Sequence, residues 1–314
     1  MTYQEGRVLF VTHGEHVLTN CESSLPSSDQ EEADSRMLLH TLYALQRNMT
    51  FICIMSNDTD TVILALGKYH YLRSQHIFDD IVIEYGLGKN MRKISIKNLA
   101  TSLGQTQSEG MVFYHSFTRC DTCSSFKMIG KKKAYDTIKA FPEIEILFSE
   151  FQNNPFPDFD INDEKFKKIE RFVILMYNQT AEEADVNEAR ENLYFSRTFN
   201  IENVPPTKDA LYLHTRRTLY QSGIWARCLE AYQRLPSPRD FGWVQSDDPI
   251  IKWTPHWKTQ PDGSKEIREL WRCGCKTNCS GSAKCKCFTA GLTCTMLCTS
   301  CQCPEKHAYN NIPN

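Results

Sequence analysis

Nine of the chain's 14 cysteines fall between Cys273 and Cys303, in the stretch CGCKTNCSGSAKCKCFTAGLTCTMLCTSCQC. Their spacing is C-x-C-x3-C-x5-C-x-C-x6-C-x3-C-x2-C-x-C. Thiols at this density are cross-linked either by oxidation or by metal, and the cellular compartment decides which. The opening residues, MTYQEGRVLF, have neither the basic flank nor the apolar run of a secretory leader. No stretch is long and apolar enough to span a bilayer, so no membrane partner is expected. A cytoplasmic or nuclear setting keeps thiols reduced, and a dense reduced cluster points to metal. Cys273, Cys275, Cys279, Cys285, Cys287, Cys294, Cys298, Cys301 and Cys303 are the candidate ligands.

Cysteines paired one residue apart, three times over, suit a shared cluster better than separate fingers. A cluster of about three tetrahedral zinc ions can be held by nine thiolates if three of them bridge two ions. Two separate sites of about four cysteines each would leave one thiolate over. Both zinc arrangements, and an oxidised knot, remain open from the spacing.

The rest of the chain is long enough for a substantial core: 314 residues in all, with a net charge of −2. That balance carries no global basic field that would announce nucleic acid. Residues 1–140 alternate strand-like and helix-like segments. Arg7–Thr12 reads as a strand, Gln30–Gln46 as an amphipathic helix and Phe51–Met55 as a short, fully apolar strand. Thr61–Leu72 reads as a helix, Ile81–Tyr85 and Ile94–Ile96 as strands, and Leu99–Leu103 as a helix. The alternation predicts an α/β domain built on a parallel sheet. Residues 141–235 read as a helical extension and 236–270 as a proline-containing, poorly regular connector to the cysteine module at 271–305.

In a parallel α/β sheet, ligands gather outside the carboxyl ends of the strands. Asp58 and Asp60 follow the strand Phe51–Met55 directly. Glu31, Glu32 and Asp34 open the preceding helix, and Asp121 lies in RCDTCSSFKMIGKKKAYDTI. Each also has an ordinary local reading. Acids in a first helical turn complement the helix dipole and cap it. Asn-Asp-Thr-Asp is turn or capping chemistry. Asp121 sits in a small-residue loop, and Lys131, Lys132 and Lys133 suit a solvated helix face. His214, alone on its helix, reads as a packed or surface histidine rather than a ligand.

Taken in order, these elements resemble the flap-endonuclease and XPG nucleases of the PIN-like superfamily. Glu32-Ala33-Asp34 matches their first acidic pair and Asp58-Thr59-Asp60 their second. RCDTCSSFKMIGKKKAYDTI matches the third element and its glycine hairpin. The pattern EEAD…DTD…CDT is also similar to a group of transposon-associated animal proteins. The resemblance implies a PIN-like fold and two-metal phosphodiester cleavage. Glu32, Asp34, Asp58, Asp60 and Asp121 would hold Mg²⁺ or Mn²⁺ as catalytic residues, with Gly130, Lys131, Lys132 and Lys133 against a nucleic-acid backbone. DNA is the expected partner, RNA the next, in the nucleus.

The chain departs from that pattern. RVLFVTHGEHVL contains no aspartate where the family carries one on its first strand, so the start of the domain is expected to be missing. Arg119 replaces the glycine before Cys-Asp, and the hairpin is reduced to Met128-Ile129-Gly130. The resemblance therefore carries the fold further than it carries activity. KCKCFTAGLTC is similar to the centre of the tesmin-like CXC domain, which implies zinc and, more weakly, DNA. Two functions stay open: a mobile-element-derived, metal-dependent nuclease, and a non-catalytic zinc-dependent DNA or chromatin binder with a vestigial acidic site. A structural zinc module serving only a protein partner is a third.

Overall fold

The structure, a computed structural model, describes residues 8–20, 25, 27–158, 160–195, 204–247 and 251–256, and six positions in the cysteine module: 273, 275, 276, 285, 287 and 298. It divides into two compact units, Met1–His256 and Trp257–Asn314.

The first unit is mixed α/β. Helix α1 (Ala33–Gln46) leads into strand β3 (Phe51–Met55), helix α2 (Thr59–Gln75) and strand β4 (Asp80–Tyr85). β3 and β4 run parallel, joined through α2 as a βαβ crossover. Strand β5 (Arg92–Ser95) then pairs antiparallel with β4, giving the order β3-β4-β5. The all-parallel expectation fails at β5 for a simple reason. A parallel return needs a crossover of roughly a dozen residues or more, and the link from Tyr85 to Arg92 is a tight turn with Gly86 and Gly88 at positive φ.

The fully apolar strand β3 is not buried along its length: Ile54 is buried, while Phe51 and Met55 are 58% and 74% exposed. Successive side chains point to opposite faces, and the face of β3 that carries Phe51, Cys53 and Met55 is exposed. The strand expected at Arg7–Thr12 forms as β1 (Phe10–His13), paired antiparallel with β2 (His16–Thr19) in a separate ribbon. The short helix expected at Leu99–Leu103 continues into α3 (Ile96–Thr118), broken at Gly104, whose φ of 77° no other residue adopts readily.

Helices α4 (Lys131–Ala140), α5 (Glu143–Asn153), α6 (Glu164–Tyr177), α7 (Val186–Phe195) and α8 (Lys208–Ala226) follow, in agreement with the helical reading of this region. They share the core of the preceding segment. Phe113 and Phe117 of α3 pack against Phe148, Phe151 and Phe172, and Trp225 of α8 joins Leu64, Ile81 and Ile83 around the sheet. α3 lies close to its neighbours because two positions lack a side chain. A Cβ on Gly67 of α2 would stand 2.3 Å from Val112, and one on Gly110 would stand 3.2 Å from the Glu145 carbonyl. The connector proves more regular than its prolines suggest: Pro238–Phe241 forms a 3-10 turn, and β6 (Trp243–Gln245) pairs antiparallel with β7 (Trp253–Pro255).

Candidate active site and metal centre

Glu32 stands at the N-cap of α1, yet its side chain makes no capping hydrogen bond. The carboxylate accepts instead from two side chains of α8. Trp225 Nε1 donates to Oε2 at 2.7 Å and Gln221 Nε2 to Oε1 at 3.3 Å. Asp34, in the first turn, accepts from the Thr61 hydroxyl at the start of α2. Both acids are thus aimed at other elements rather than at their own helix.

Asp58 behaves as the local reading expects: its Oδ1 caps α2 by accepting from the Asp60 amide at 2.9 Å. Asp60 does not. Its Oδ1 lies 2.7 Å from His115 Nε2 on α3, and His115 Nδ1 lies 2.7 Å from Lys131 Nζ at the start of α4. Lys131 Nζ also lies 3.2 Å from His115 Nε2, so the ammonium sits against the ring rather than in line with one nitrogen. Asp60, His115 and Lys131 thus form a set of polar groups in contact, drawn from three helices.

Neighbouring charges act on Glu32 and Asp34. Burial pushes the Glu32 carboxyl above its usual range, and the charges of Asp60 and Asp34 push it further, against the lowering effect of the Trp225 and Gln221 hydrogen bonds. Burial also raises Asp34, aided by Asp58 and Asp60 and opposed by Thr61. Burial lowers Lys131 despite the attraction of Asp60 and Asp58. Hence Glu32, Asp34, Asp58 and Asp60 form one electrostatic group at the carboxyl end of β3, where the βαβ rule places ligands.

Asp121 is not brought into it. It is exposed in the bend after α3 and makes no hydrogen bond or ion pair with described residues. Its neighbours make the contacts: Thr122 Oγ1 donates to Gln221 Oε1 at 2.8 Å, beneath Glu32. The flanking thiols differ sharply. Hydrogen bonding from Cys123 draws Cys120 down to about 7, while the same contact and burial drive Cys123 well up.

Lys131, expected on a phosphate backbone, reaches back to His115 although it is exposed, as Lys132 and Lys133 are. Gly130 caps α4, and a Cβ there would meet nothing within 4 Å, so its lack of a side chain is not required by space. Met128 takes φ 60°, a conformation that suits glycine, at the point where the hairpin motif lost one. Beside Glu32 opens a cleft of about 650 Å³, lined among others by Glu31, Gln221, Tyr220, Lys252 and the indoles of Trp243 and Trp253.

Sequence reasoning missed His115, Trp225, Gln221 and Thr61. Trp225 and Gln221 lie 193 and 189 residues from Glu32, with no local signal to connect them. Of the two readings, packed or surface, His214 takes the packed one: Nε2 contacts the Phe117 carbonyl at 2.8 Å, and burial lowers its pKa to about 4.

The second unit holds a different set of donors. The sulfurs of Cys273, Cys285 and Cys287, all buried, lie within 4.8 Å of one another. Cys287 Sγ is 3.7 Å from Cys298 Sγ, which also accepts from the Cys273 amide at 3.2 Å, and Cys275 packs alongside. Such a set of buried thiols can bind a metal ion such as zinc. Cys279, Cys294, Cys301 and Cys303 lie outside the described residues. Among the described residues this is the one group of three or more ligand atoms gathered so tightly; the acids around β3 are more widely spread. No helix among the described residues is long and apolar enough to cross a membrane. No known protein family, curated protein or solved structure matches the chain.

Proposed function

We propose that the chain is a metal-dependent, nuclease-like protein that processes nucleic acid in the nucleus, derived from a mobile element. The observation that supports this reading is the setting of Glu32, Asp34 and Asp60: donors from α8, Thr61 and His115 hold the three carboxylates near the start of α2, and the charges of Asp58 and Asp60 act on Asp34. The donor set fits a hard divalent ion in chemistry: carboxylate oxygens in number, two of them held above their ordinary pKa by burial and mutual repulsion. Mg²⁺ or Mn²⁺ held there would supply an activated water and charge stabilisation for phosphodiester hydrolysis. Trp225 and Gln221 orient Glu32, Thr61 orients Asp34, and His115 orients Asp60 while relaying it to the Lys131 ammonium. Lys132 and Lys133, on the exposed start of α4, suit contact with phosphates. In the second unit, the nine cysteines would hold a cluster of about three zinc ions.

A second reading is favoured by a specific observation: Asp121 stands apart from the four acids, and the carboxylates of Glu32, Asp34 and Asp60 are already engaged by protein donors. On that reading the acidic site is vestigial and the protein binds DNA without cutting it. Incubation of zinc-loaded protein with branched and single-stranded DNA plus Mn²⁺ separates the two. Cleavage that Asp60→Asn abolishes supports the nuclease. Salt-dependent binding without cleavage, unchanged by Asp60→Asn, selects the binder and overturns the nuclease.

A further inference from the structure

We infer that Cys120 and Cys123 form a redox-active dithiol, at which a low-molecular-weight disulfide of the glutathione type is reduced as the pair closes into an intramolecular disulfide. This goes beyond the proposed function and does not depend on it. Three observations carry it. The two residues have C-x-x-C spacing in the bend that follows α3. Thr122 Oγ1 bridges them, 3.4 Å from Cys120 Sγ and 3.9 Å from Cys123 Sγ. Cys120 is partly exposed while Cys123 is buried, so an outer thiol meets the reagent and an inner one resolves the adduct. The thiolate is the form that attacks disulfides.

The step balances without another reagent. The Cys120 thiolate attacks one sulfur of the small disulfide, forming a mixed disulfide and releasing one thiolate. Cys123 then attacks Cys120 Sγ and releases the second. The two thiol protons of the protein end on the two released thiols, and two electrons pass from the pair to the reagent. Closure would also move Thr122, whose hydroxyl holds Gln221, which in turn donates to Glu32. The redox state is thereby tied to the acidic site through side chains in hydrogen-bond contact.

The test uses zinc-loaded full-length protein in a glutathione redox buffer, quenched by alkylation, digested with trypsin and read by mass spectrometry. Cleavage after Arg119 and Lys127 isolates a peptide that contains these two cysteines and no others. Wild-type protein should yield this peptide with its internal disulfide before other thiols oxidise. Cys123→Ser should trap glutathione on Cys120, whereas Cys120→Ser should gain none at Ser124-adjacent Cys123. Tryptophan emission should change on oxidation of the wild type and not of Cys120→Ser, reporting the link to Trp225. If both cysteines of the wild-type peptide stay alkylatable in a buffer that fully oxidises a thioredoxin-type dithiol control, the inference is wrong. It is equally overturned if Cys123 is glutathionylated as readily as Cys120. The wild-type arm needs no variant to fold.

Discussion

Replacing Trp225 by Phe tests whether the acidic group is held together as described. Trp225 is 1% exposed, and its indole N–H donates to Glu32 Oε2 at 2.7 Å. Phe keeps the aromatic ring but removes the donor and part of the volume. A hydrogen bond to a charged acceptor contributes about 1.5–3 kcal/mol, against about 1 kcal/mol to a neutral one. The lost volume, roughly 40 Å³ at about 24 cal/mol per Å³, adds about 1 kcal/mol. The variant should therefore lose about 2.5–4 kcal/mol with Glu32 ionised and about 2 kcal/mol with it protonated.

The sign follows from linkage. Burial already holds the folded-state carboxyl of Glu32 above its ordinary value, so its ionisation weakens the fold as pH rises through that raised pKa. Removing a donor raises it further, because that hydrogen bond favours the ionised form. The gap between wild type and variant is widest above the variant's pKa and narrows as pH falls through it. Urea denaturation followed by far-ultraviolet circular dichroism across the mildly acidic range measures the gap, and Glu32→Gln supplies a background in which only the neutral part should remain. A gap that is independent of pH and equally large in Glu32→Gln would show that Trp225 serves packing alone.

Two further outcomes are expected. Gly67→Ala should cost about 1–3 kcal/mol by overpacking α2 against α3, because its Cβ would lie 2.3 Å from Val112 Cγ2; adding Val112→Ala should recover part of that in urea melts, and strict additivity of the two changes would refute the contact. Purified protein should carry about three zinc ions by elemental analysis, and Cys285→Ser, which removes a buried member of the thiol group, should lower that number; reduced wild-type protein without zinc would remove the metal centre.

The sequence by itself determined what depends on neighbours along the chain. The apolar run Phe51–Met55 became a strand, and Asp58 capped the helix after it. The cysteine spacing marked a candidate metal-binding group, of which Cys273, Cys285 and Cys287 come together. The helical middle was legible from its periodicity. The direction of β5 was set by the length of a turn, which the apolar pattern does not encode. The exposure of Phe51 and Met55 was set by which face of β3 is covered. Only the tertiary structure decided which side chains hold the acids. Trp225 and Gln221 reach Glu32 across most of the chain, His115 reaches Asp60 from a helix that packs beside α2, and Asp121 turns to solvent while Thr122 takes the inward contact. Turn chemistry and periodicity act between residues a few positions apart, whereas the partner of a buried carboxylate is chosen by helix packing, which brings together residues that share no local pattern.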